Sequence, residues 1–120
     1  MPSQDKPTRL PLNVIERLAD RFRLLSDPTR LRLVNELHSS GELTVGELVE
    51  RLEISYATAS KQLAMLRAHG TVARRREGTK IFYRITDPSL DEVCNVVCRS
   101  LREHWATWGV ELEASFDPEQ

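Results

Sequence analysis

Cysteine is scarce in this chain: two in 120 residues, at positions 94 and 98. Two thiols that close together cannot staple a small secreted fold, which excludes a disulfide scaffold. Aromatic residues make up 6% of the sequence, so a chain of this length can bury only a small core. No stretch approaches the run of about 18 apolar residues that a membrane helix requires. The opening MPSQDKPTRLPLN has prolines, an acid and no apolar segment, so no secretory leader is expected and the chain is assigned to the cytoplasm. Internal repeats and low-complexity tracts are also missing. Neither charge sign dominates: 17 Lys and Arg stand against 18 Asp and Glu, net −1, a total that by itself says nothing about nucleic acid. Length sets a single domain, placed at residues 10–114, with polar and flexible ends at 1–9 and 115–120.

What is present is concentrated in ISYATASKQLAMLRAHGTVARRREGTKIFYRI, residues 54–85. Ser55 is placed to cap a helix by accepting a first-turn N–H. Ala59, Leu63 and Leu66 then recur at spacings of four and three, an apolar stripe for a core. Gly70 stands where a helix commonly stops. Beyond it, the runs 71–76 and 80–85, joined by Glu77-Gly78-Thr79, predict a β-hairpin. The outer helix face offers Tyr56, Ala57, Ser60, Lys61 and Arg67, and the hairpin offers Arg74, Arg75, Arg76, Lys80 and Arg84. Residues 61–84 hold seven basic side chains against one acid, net +6, whereas residues 85–120 hold eight acids against two arginines, net −6. A focused cationic patch beside a small, polar helix face is the pattern of a winged helix-turn-helix binding double-stranded DNA.

The rest of the chain supplies the scaffold. Residues 12–25 put Val14, Ile15, Leu18, Phe22 and Leu25 on one helical face. Asp27-Pro28 is a cap followed by a residue suited to the first helical position, and Leu31, Val34 and Leu37 continue the apolar stripe to Ser39-Ser40-Gly41. Thr44 and Glu47 have the spacing of a capping box for a short helix ending near Leu52. The link Glu53-Ile54-Ser55 then makes this helix and the next a helix-turn-helix. Asp87-Pro88 predicts the start of a last helix reaching about Glu113. The expected class is mainly α, four helices followed by a β-hairpin and a fifth helix.

Three runs, SDPTRLRLVNEL, ELTVGELVERLEISYATASKQLAMLRAHG and RRREGTKIFYRI, together resemble the ArsR/SmtB family of bacterial repressors across about residues 18–108. The resemblance implies a homodimer built on the first and last helices, a palindromic operator, and release of DNA when an inducer binds. It also implies that Tyr56, Ala57, Ser60 and Lys61 read bases. Thr58 would lie toward the adjoining backbone, with the hairpin arginines at phosphates or in the minor groove. Its metal sites do not carry over. Where metal-sensing members have a Cys-x-Cys pair, this chain has Thr44 and Gly46. Where others have histidines on the last helix, it has Ser89 and Ser100 between Asp87 and Glu103, and two carboxylates alone make a poor zinc site.

Cys94 and Cys98 remain. On a helical projection both fall within roughly 80° of Leu90, at the edge of the apolar stripe. They can serve as small buried hydrophobes, as redox or sulfur-reactive thiols, or as ligands to a soft metal or arsenite across a twofold axis. An intrahelical disulfide is disfavoured, because i,i+4 Cβ atoms lie about 5–6 Å apart and a disulfide needs about 3.5–4.5 Å. Two competing functions stay open at this level. One is a winged-helix module for protein–protein contacts, although residues 57, 58 and 60 offer no hydrophobic hot spot. The other is a thiol enzyme using Cys98, for which no base or pocket is discernible.

Overall fold

A computed structural model describes residues 9–107. Helix α1 spans Leu12–Leu25 and α2 Pro28–Ser40; strand β1 spans Glu42–Thr44; helices α3 and α4 span Val45–Leu52 and Tyr56–Ala68; strands β2 and β3 span Val72–Glu77 and Lys80–Ile85; α5 spans Ser89–Thr107. The expected extension of α5 to about Glu113, and the flexible ends, lie outside the described residues.

Helix α1 starts after Pro11 without a side-chain cap, but α2, α3 and α4 each begin where a side chain satisfies an unpaired N–H group of the first turn. Asp27 accepts from the Arg30 N–H at 3.0 Å, with Pro28 at the first position of α2. Thr44 accepts from the Glu47 N–H while Glu47 accepts from the Thr44 N–H, the reciprocal capping box of α3. Ser55 accepts from the Thr58 N–H at 3.0 Å to open α4. Between α3 and α4, Glu53 takes the left-handed conformation (φ 55°), the one non-glycine to do so among the described residues. Gly70, at φ 75°, turns the chain out of α4. There Thr71 is fully buried, and both its N–H and its hydroxyl donate to the Leu66 carbonyl.

Two features differ from the sequence reading. The hairpin turn is tighter than expected: Glu77 pairs with Lys80, leaving Gly78-Thr79 as a two-residue connection with positive φ at Gly78. A third strand is also present. Glu42, Leu43 and Thr44 pair with Arg84, Tyr83 and Phe82, giving an antiparallel sheet in the order β1-β3-β2.

The core is largely leucine. Leu33, Leu37, Leu48, Leu63, Leu66 and Leu90 are all fully buried, and Ala59 lets α4 approach closely. In α2, Leu33 takes the inward place while Leu31 is exposed. Residues two apart on a helix point about 200° apart, so only one of these leucines can face the core. On α1 the expected stripe exists but this chain leaves most of it uncovered: Val14, Ile15, Leu18 and Phe22 are exposed, and only Leu24 and Leu25 are buried. On α5, Leu90 is buried while Val96, Val97 and Leu101 are exposed.

Candidate nucleic-acid interface

Helix α4 has two opposed faces. Ala59, Leu63 and Leu66 fix one of them in the core. On the other, Tyr56, Ala57, Lys61, Ala64 and Arg67 are exposed and Ser60 is half-buried. Thr58 is half-buried, and its Oγ1 accepts from the Ser55 hydroxyl at 2.8 Å. Ser55 thus serves first as the helix cap.

A groove of about 430 Å³ runs between α4 and the hairpin. Tyr56, Ser60, Ala64 and Arg67 form its helical wall, and Arg74, Lys80 and Tyr83 form part of the opposite one. Thr44 and Gly46 also line it, so the capped start of α3 borders this surface. Sequence reasoning placed Thr44 in a cap and missed its second position here, because nothing local shows that α3 begins beside the hairpin.

Strand alternation divides the three consecutive arginines. Arg74 and Arg76 lie on the side of Tyr83 and Ile81, their cross-strand partners. Arg75 lies on the reverse side. Its Nε and one terminal nitrogen donate to Glu42 at 2.8 and 2.9 Å, its other terminal nitrogen donates to Glu77 at 2.6 Å, and its guanidinium carbon sits 4.6 Å from the centre of the Phe82 ring. The Arg75 hydrogen bond is the main cause holding the Glu42 carboxyl below its usual range, with Arg84 adding to it. Arg84 pairs across the sheet with Glu42, so it too belongs to this reverse face. The structure therefore gathers Tyr56, Ser60, Arg67 and Arg74 around one groove, with Ala57 and Lys61 on the outer side of the same helix, and sets Arg75 and Arg84 apart. Lys80 shares the strand side of Arg84 by alternation but still lines the groove beside the hairpin turn.

On α5, Cys94 and Cys98 are unbridged and half-buried. Burial pushes the Cys94 thiol up, and Cys98 and Asp91 add to the shift. Asp91 itself pairs with His38 Nε2 at 3.0 Å, joining α5 to the end of α2. Asp87 caps α5, accepting from the Ser89 N–H at 3.0 Å and its hydroxyl at 2.7 Å while pairing with Arg21 of α1. Among the described residues no three His, Cys, Asp or Glu side chains gather as a metal-binding group.

A helix-turn-helix domain family matches residues 25–75. The biofilm growth-associated repressor of Xylella fastidiosa is 40% identical over 80 residues, covering 67% of this chain and 69% of that protein. The transcriptional repressor SmtB homolog of Synechocystis sp. is 32% identical over 100 residues, covering 83% of this chain and 75% of its own. The chain belongs to the ArsR/SmtB family. The crystal structure of AntR, an antimony-specific transcriptional repressor, superposes on this family member with a TM-score of 0.76 at 27% identity, covering 87% of this chain and 94% of that one. An ArsR/SmtB protein is a helix-turn-helix transcriptional regulator that binds DNA, and it is not an enzyme. The thiol-enzyme alternative is thereby set aside. In this ArsR/SmtB chain the groove is bordered by α4, the second helix of the helix-turn-helix, and no described helix is long and apolar enough to cross a membrane.

Proposed function

We propose that this ArsR/SmtB protein is a cytoplasmic homodimeric repressor that holds a palindromic operator through α4 and the hairpin of each protomer. The observation that carries the reading is the cationic groove: Arg67, Arg74 and Lys80 flank the exposed face of α4. In this reading Tyr56, Ala57, Ser60 and Lys61 meet base edges. Ser55 and Thr58 lie by the flanking backbone, and Arg67, Arg74, Arg76 and Lys80 meet phosphates or the minor groove. Arg75 and Arg84 shape the hairpin from behind. The uncovered apolar faces of α1 and α5 support dimerisation, since a chain this small gains much by covering them with a second copy.

Release is assigned to Cys94 and Cys98 and to a trivalent thiophile such as arsenite. Burial raises the Cys94 thiol pKa, which disfavours at that position the free thiolate that attacks oxidants. Arsenous acid needs no free thiolate: each arsenic–sulfur bond forms as an As–OH leaves as water, carrying away the thiol proton. Thiols one turn apart are too far for a disulfide but suit a larger bridging atom. That relatives include an antimony-specific repressor and arsenic resistance regulators of Pseudomonas putida supports the chemistry.

The test is fluorescence-anisotropy binding to DNA upstream of the protein's own gene, reduced, oxidised and with arsenite, for wild type and a Cys94→Ser/Cys98→Ser variant. Salt-sensitive, sequence-selective binding that arsenite abolishes only when the thiols are present is the expected result. Binding that ignores sequence would overturn the operator reading. Selective binding unmoved by arsenite would make the cysteines packing residues.

A further inference from the structure

The Arg30 side chain, near the start of α2, serves neither the DNA face nor the apolar core. Its Nε donates to the Leu24 carbonyl at 2.6 Å and one terminal nitrogen donates to the Arg23 carbonyl at 3.3 Å. These carbonyls belong to the last turn of α1, beyond the reach of its i+4 ladder. The Arg23 carbonyl also accepts from the Ser26 N–H and hydroxyl, so the Leu24 bond is the stronger anchor. The other terminal nitrogen donates to Gln62 Oε1 at 2.9 Å and lies 3.1 Å from the Met65 sulfur, both on α4. One half-buried planar guanidinium therefore joins the end of α1 to the middle of the reading helix. Asp27 holds the same residue's backbone by capping its N–H, so the base of the strut is fixed as well. Gln62 follows Lys61 on α4, yet its carbonyl oxygen is turned inward by this bond rather than left for a ligand.

We infer that Arg30 is a positioning residue that sets the angle between α1 and α4, and through it the operator spacing that the two reading helices accept. The inference rests on the homodimeric reading above, in which α1 forms part of the twofold contact. A dimer tolerates only half-sites about one DNA turn apart when its reading heads are rigidly placed. Arg30 supplies the rigidity because its fork satisfies acceptors on both helices at once, a geometry that the point charge of lysine cannot reproduce.

The variants are Gln62→Met, which keeps volume and the α1 bonds while removing the acceptor on α4, and Arg30→Lys. Each is titrated against the palindrome that wild type selects from a randomised duplex library, and against the same palindrome with its spacer lengthened or shortened. Wild type is expected to reject the altered spacers. Gln62→Met is expected to lose roughly tenfold on the selected spacing, as a less fixed α4 must be ordered on binding, and to discriminate less among spacers. Its affinity for a random duplex should stay near wild type, while its melting temperature should fall by a few degrees, since the folded chain makes this bond with or without DNA. A uniform loss over all spacers, or an unchanged spacing profile in both variants, would overturn the inference and leave the dimer standing. A wild type that accepts every spacer would overturn the dimeric reading, and the inference with it.

Discussion

A run of three arginines is a charge statement until the strand pleat assigns each one a side. Arg75 has acceptors on Glu42 and Glu77 and a ring beneath it, so moving it to a phosphate would break three hydrogen bonds that already satisfy its charge. Arg74 lines the groove. Arg74→Ala should therefore lower the slope of log affinity against log salt by about one, whereas Arg75→Ala should weaken binding modestly at an unchanged slope. Anisotropy titrations across a salt series decide it, and a slope loss for Arg75→Ala would return that residue to the phosphates. Lys61, exposed on α4, should behave differently: Lys61→Ala should cost about 1–3 kcal/mol on the operator and little on random DNA. The division among the arginines was not legible beforehand, because the partner Glu42 lies 33 residues away. It sits on a three-residue strand, too short for alternation to reveal.

At the scale of elements, what the chain makes locally was readable and what it makes at a distance was not. Asp27, the Thr44–Glu47 box and Ser55 act within three residues of themselves, and the helices begin where those residues said. Strand β1 and the inward turn of Leu33 depend on where β3 and α4 happen to pack. Asp87 combines both kinds of information. Its capping of Ser89 is local, but its pairing with Arg21 ties α5 to α1. The Ser89 hydroxyl first, then its N–H and Arg21, hold the Asp87 carboxyl below the usual range despite some opposing burial. A depressed folded-state pKa stabilises above the unfolded value, near 3.9, and that stabilisation fades as pH falls through the lower folded value. Wild type should thus be more resistant to urea than Asp87→Asn at pH 7, and the difference should shrink as the pH falls below about 4. A gap that stayed constant into acid would mean that the charge on Asp87 contributes nothing.

For the whole molecule, the apolar stripe of α1 reads the same in sequence whether it meets its own core or another chain. In the single chain Leu18 and Phe22 remain 41% and 51% exposed, beside a largely apolar groove that also contains Leu90 and Val93 of α5, so their own core does not cover them. A charge placed there meets solvent in the single chain and burial only in an assembly. Leu18→Glu should leave the leucine core around Leu33, Leu37 and Leu63 intact, because none of that core depends on an exposed side chain. It should nevertheless yield a monomer by light scattering and remove the concentration dependence of the melting temperature that an associating protein shows. Operator affinity should fall at least about a hundredfold, since each half-site then binds without the effective concentration supplied by its neighbour. Binding to random duplex, which uses the groove of one protomer, should fall far less. A Leu18→Glu protein that stayed dimeric and kept its operator would place the twofold contact away from this face of α1, and the exposed stripe would then need another partner.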